Sequence, residues 1–100
     1  MIKLIIFFRK PNDVQRFELR FSETHVPLIN QMPRIKRTSV CRAIGAPRGE
    51  PNFHLIHDIY FDSLEDCNYA LNSAEGRAAG IDLMDFAKDI VTLTFAEVWE

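Results

Sequence analysis

Cysteine, glycine and tryptophan are scarce in this chain of 100 residues, basic charge is not in excess, and the longest apolar run, Leu4–Phe8, is short. Each shortage removes a class of protein. Cys41 and Cys67 are too few for a disulfide framework and have no short metal-ligand spacing, so both read as small buried hydrophobes. Neither they nor the three histidines show zinc spacing, and no metal site is expected. The opening run stops at Arg9, Lys10 and Pro11, too soon for a secretory segment or a membrane span, which points to the cytoplasm and away from a membrane. Lys and Arg number 12 against 14 Asp and Glu, a formal net charge of −2, so the basic footprint that draws nucleic acid is missing. An RNA-binding domain of similar strand order would also carry an aromatic-basic segment that this chain lacks. No Gly-rich phosphate loop follows the first apolar run, since Phe8-Arg-Lys-Pro11 is no dinucleotide fingerprint, and no cofactor is expected.

What the chain does have is 47% hydrophobic and 26% charged residues, the balance of a folded globular protein. Its length supports one core, so residues 1–100 read as a single domain that would gain from further burial against a partner.

Residues 2–9 alternate bulky side chains on both faces, Ile2, Leu4, Ile6, Phe8 on one and Lys3, Ile5, Phe7, Arg9 on the other, and predict a strand covered on both sides. Asn12 with Gln15 is a capping-box start for a helix whose stripe runs Val14, Phe17, Phe21, Thr24, Leu28, Met32. Pro27 falls inside that stripe, so the helix kinks there or a new turn begins, and Pro33 ends it. Polar residues 35–44 predict a second, edge-like strand, the Gly45–Asn52 segment a loop, and residues 53–61 a third strand. Ser63 with Asp66 starts a short helix with Leu64, Cys67 and Leu71 inward. Ser73 starts another, to about Lys88, with Ala79, Leu83 and Phe86 inward; residues 90–99 form the last strand.

The order is βαββαβ, the split βαβ pattern of an α+β, ferredoxin-like fold in which helices cover one face of an antiparallel sheet. The other face, apolar on three strands, needs cover of its own. Two such sheets packed about a twofold axis predict a homodimer, a dimeric α/β barrel, with room for a hydrophobic or aromatic small molecule between sheet and helices.

At Phe21-Ser-Glu-Thr-His-Val-Pro-Leu28, Met32-Pro33, Phe61-Asp-Ser-Leu-Glu65, Ser73-Ala-Glu-Gly76 and Val91-Thr-Leu-Thr-Phe-Ala-Glu97 the chain resembles the EthD family of dimeric α/β barrels over nearly its whole length. The resemblance singles out His25 as the recurrent polar residue of the first helix. It implies chemistry of the kind related barrels perform: monooxygenation of polycyclic phenols, isomerisation, or cyclisation and dehydration of polyketides.

His25 lies at the edge of its helical stripe, and an imidazole can act as acid or base near neutrality, so it is the leading catalytic candidate for proton transfer to a hydrophobic oxygenated ring or polyketide-like compound. The alternative is a structural histidine bonding the backbone before Pro27. Asp58 is an anomalous carboxylate in mid-strand, read either as a catalytic partner across the cavity or as an ion-pair partner of Arg9 or Lys3. Tyr60, His54, Phe7 and Trp99 are the candidate substrate-binding residues, by hydroxyl, ring nitrogen or apolar bulk, with Ile5 and Phe95 adding to the last. His57, on the strand face with Leu55, Ile59 and Phe61, reads as a satisfied core histidine. An enzyme, an oxidoreductase or an isomerase or cyclase, competes with a non-catalytic binding or accessory protein of an oxygenase system.

Overall fold

The computed structural model describes all residues, Met1–Glu100. Four strands, β1 (Ile2–Phe8), β2 (Arg37–Arg42), β3 (Leu55–Phe61) and β4 (Val91–Glu97), form one antiparallel sheet in the order β2-β3-β1-β4. The two central strands carry the most Ile, Phe and Tyr. The polar β2 and the threonine-containing β4 take the edges, where an unpaired side of the strand meets water.

Side-chain alternation fixes which face is covered. Leu4, Ile6 and Phe8 of β1 stand opposite Ile59, His57 and Leu55 of β3, and all six are buried. Helices lie on that side only. The buried apolar cluster of the protein, from Leu4 to Ala87, lies between the sheet and the helices, and no strand residue of the opposite face belongs to it.

The first helical segment is α1 (Val14–Arg20), a π-helical turn (Phe21–His25) and α2 (Val26–Asn30) in unbroken succession. Asp13 caps it, its carboxylate accepting from the Arg16 N–H, one residue later than the Asn12 start read from the sequence. Pro27 supplies the reason for the π turn. A proline ring would clash with the carbonyl four residues back, and the wider turn, closed by a bond from the Val26 N–H to the Phe21 carbonyl, relieves that crowding. It also rotates everything after Phe21. Thr24 is exposed, and His25 and Ile29 take the inward places that a regular 3.6-residue period assigns to Thr24 and Leu28.

Ser63 caps α3 (Leu64–Asn72) by accepting from the Asp66 N–H, and Ser73 caps α4 (Ala74–Ala87) by accepting from the Gly76 N–H while donating to the Ala70 carbonyl. Ala79 and Leu83 face inward and Phe86 is half-buried. Leu64 and Cys41 are exposed, against expectation; of the two cysteines only Cys67 is core, and burial pushes its thiol up to about 11.

The expectation of an α/β barrel is overturned. The α+β, ferredoxin-like order is present, but the sheet is open. β2 and β4 are free edges with two strands between them, and nothing pairs one to the other. Four strands with ordinary twist leave the edges far apart, and closure of a barrel takes about eight. No helix is long and apolar enough to cross a membrane.

Candidate functional site

The π turn and α4 together build the most chemically distinctive group in the molecule. Arg20, at the end of α1, reaches across to α4, where its Nη2 donates to Asp82 Oδ1 and, at 3.0 Å, to Asp85 Oδ2. Asp82 spends its other oxygen on His25, with Oδ2 3.0 Å from Nδ1. Asp82 and Phe86 stand four residues apart on α4, on one helical face, which brings the Phe86 ring under both the Arg20 guanidinium (5.2 Å) and the His25 ring (5.2 Å).

The arrangement assigns the tautomer of His25. A carboxylate only accepts, so Nδ1 carries the proton and Nε2 keeps its lone pair. Nε2 is buried and no protein group lies within hydrogen-bond reach of it. His25 as a whole is 0% exposed. Burial pulls its pKa below the ordinary value, partly offset by the bond and charge of Asp82, with the Arg20 charge adding to the lowering. Near neutrality His25 is therefore a neutral, oriented base.

His25 lines a small, partly open space of about 40 Å³ together with Leu4 and Ile6 from β1, Ala79 and Gly80 from α4, and Leu93 from β4. It is the only ionisable residue in that lining. The space takes a group of a few heavy atoms, against roughly 300–1,000 Å³ for a fully enclosed organic ligand. Its β4 side is thinly covered. Leu93 and Phe95 point to the helix side through their pairing with Ile6 and Leu4, yet are 43% and 51% exposed.

His57 sits beside this site, its ring 6.5 Å from that of His25. It is in the core, as read from the strand pattern, but the expectation that it is satisfied there is overturned, since neither ring nitrogen has a protein partner. Burial, with a smaller contribution from His25, pulls its pKa down to about 4. Below its free pKa the unfolded chain takes up a proton that the folded chain refuses, so stability falls as pH drops from about 6.5 towards 4. Urea unfolding at pH 7 and pH 5 is expected to differ by about 2 kcal/mol, and His57→Leu is expected to flatten most of that difference.

The other candidate residues are distributed elsewhere. Asp58 and Tyr60 point to the uncovered face of the sheet, where Asp58 Oδ2 lies 3.4 Å from Lys3 Nζ and the Tyr60 ring is stacked by Arg37 (3.8 Å) and approached by Lys3 (5.5 Å). The ion-pair alternative for Asp58 is the geometry present, with the sheet between it and His25. Phe7 is half-buried on the same face, edge-to-face with Phe53 at 5.9 Å. His54 turns back towards α1 and donates from Nε2 to Glu18 Oε2 (2.8 Å). Arg42 holds that carboxylate with two bonds, and Arg42 and then His54 keep Glu18 below the usual carboxylate range. Trp99, beyond β4, is 89% exposed.

Sequence reading missed Asp82 and Arg20. The available signal was weak: Asp82 flanks the inward Ala79–Leu83–Phe86 stripe, and only the π turn carries His25 round to meet it. No group of three or more His, Cys, Asp or Glu side chains is placed to hold a metal ion.

No family model matches the sequence. An uncharacterised 11.0 kDa protein in the thcB-thcC intergenic region of Rhodococcus erythropolis is 30% identical over 97 residues, which are 97% of this chain and 94% of that protein. The crystal structure of a Bacillus halodurans C-125 protein of the ethyl tert-butyl ether (EthD) family is 37% identical, covers 98% of each chain and superposes with a TM-score of 0.95. A dimeric ferredoxin-like protein of unknown function from Bacteroides fragilis shares the fold, at 20% identity and a TM-score of 0.67 over 97% of this chain and 95% of that one. On 37% identity and near-complete coverage with the Bacillus halodurans protein, this chain belongs to the EthD family.

Proposed function

We propose that this chain is an enzyme that moves a proton on a hydrophobic, oxygenated compound, a phenol, enol or polyketide-like ketone, with His25 as the base. The observation that carries this is the chain of contacts Arg20–Asp82–His25, ending in a buried Nε2 lone pair without a protein partner, at the wall of an apolar space. Nε2 takes the proton from an O–H, or from a C–H beside a carbonyl. The bonding pair stays on the substrate as an oxyanion, and the new imidazolium is held against the Asp82 carboxylate. Return of the proton to another substrate atom completes an isomerisation; in an elimination the leaving group departs with its bonding pair and takes the proton from the imidazolium, so both balance without a further reactant and restore neutral His25. His57 marks the contrast. It is equally buried and has no carboxylate, so nothing fixes which of its nitrogens is basic.

The uncovered sheet face supports pairing of two copies. Ile5, Phe7 and Ile56 stand there half-buried with no element of the chain over them, and the Bacteroides fragilis protein of the same fold is dimeric. Mass measured across a dilution series is expected to be that of two chains at micromolar concentration, and Phe7→Asp is expected to return it to one. The catalytic proposal is tested by turnover of a panel of phenolic and enolic compounds with wild type and His25→Ala. Loss of turnover in the variant supports it, and equal turnover contradicts it.

A further inference from the structure

We infer that Gly80 is a specificity-determining position, its missing side chain keeping open a passage between α4 and β4 in which the flat apolar body of a neutral ligand lies with its oxygen at His25. This rests on the function proposed above. Gly80 sits in the interior of α4, where glycine is less favourable than alanine. Its backbone is not in the left-handed region, where only Gly49 among the glycines is found. Packing does not demand glycine either, because a Cβ built at Gly80 meets nothing within 4 Å. Gly76, one turn earlier, is the opposite case: a Cβ there would lie 2.0 Å from the Ala70 carbonyl oxygen. The fold thus explains one glycine and leaves the other without a structural reason.

Position supplies the reason. Gly80 lines the same space as His25, which is 0% exposed and has an unpartnered Nε2. Across that space stands Leu93, and beside it Phe95, both apolar and about half exposed because the helix layer stops short of β4. Bare backbone at Gly80, with Leu93 lining the same space, suits a planar ring. The space holds about 40 Å³ in all, so only the polar end of such a molecule fits inside, and its body extends along the gap. No second charged side chain lines the space, so a hydroxyl or ketone fits and a carboxylate or phosphate ester has no counter-charge.

Phenol serves as the probe. Its binding is followed by NMR of the histidine rings in wild type, Gly80→Ala, Gly80→Leu, Ala78→Leu and His25→Gln. Ala78 is exposed, and at 100° per residue it lies well round the helix from Gly80. Phenol is expected to move the His25 resonances of wild type, and Gly80→Leu to raise its Kd about tenfold or more while Ala78→Leu does not. Gly80→Ala is expected to raise Tm by about 4–8 °C and yet weaken phenol, which keeps the test alive should Gly80→Leu fail to fold. If phenol moves His25 and the Gly80 variants bind it as wild type does, the passage is wrong and the proposed function stands. Silence of the His25 resonances in wild type overturns both. A change in molecular mass in Gly80→Leu with phenol affinity intact overturns the inference in favour of a subunit contact.

Discussion

In His25→Ala, turnover of whichever phenol or enol the wild type accepts is expected to fall about 10²–10⁴-fold, the usual worth of a positioned acid–base group. On the proposed role the loss should come in kcat more than in KM, because the imidazole would act on the proton in flight and makes up one part of the wall. Asp82→Asn is expected to produce a loss of the same order while leaving the imidazole in place. An asparagine can donate its amide N–H to Nδ1, which moves the ring proton to Nε2 and removes the lone pair proposed to take the substrate proton. Asp82 is thus a positioning residue, and the pH profile separates it from a merely structural one. With the His25 pKa below its ordinary value, wild-type kcat/KM should be flat at neutral pH and decline only on acidification, as the base becomes protonated. Asp58→Asn serves as the control from the far face of the sheet, paired as it is with Lys3, and should leave turnover within a few-fold of wild type.

Gly76→Ala is expected to be the most damaging small substitution in the protein. The new Cβ would stand 2.0 Å from the Ala70 oxygen, 2.7 Å from the Leu71 oxygen and 2.8 Å from the Leu71 carbonyl carbon, all backbone atoms that cannot rotate away. The α3–α4 junction must separate, and Ser73, which bonds both the end of α3 and the start of α4, moves with it. Overpacking of this kind costs about 3 kcal/mol or more, well above the roughly 1 kcal/mol that alanine gains over glycine in a helix. In a domain of this size the net loss of about 2 kcal/mol or more corresponds to a Tm lower by roughly 8–16 °C or more. An unchanged Tm would show that the two helices are not in close contact at this point. The same substitution at Gly80, one turn along, carries the opposite sign.

Much of the fold was legible because it rests on local patterns. Alternation placed Leu55, His57, Ile59 and Phe61 on the helix side, and Ser63 and Ser73 announced two helix starts by the chemistry of capping. Where the reading failed, a non-local or irregular feature had intervened. A 3.6-residue period carried past Phe21 puts Thr24 inside, and the π turn required by Pro27 puts His25 there instead. Strand alternation extended back to His54 places it beside Asp58, whereas the regular strand begins only at Leu55 and the side chain is taken by Glu18. Asp82 and Arg20 were invisible as site residues because they are 57 and five positions from His25 and meet it only through helix packing. The barrel expectation failed for a related reason: apolar residues on both strand faces say that a second layer is needed, and nothing about how a sheet edge closes.

The ring nitrogens of His25 offer the most direct examination of all this. In protein labelled with ¹⁵N at histidine, spectra at pH 7 should show His25 neutral, with Nδ1 bearing the proton and Nε2 bare, and Asp82→Asn should transfer that proton to Nε2. A wild-type His25 that is already protonated at Nε2, or fully charged at that pH, would contradict the assignment of this residue as the base.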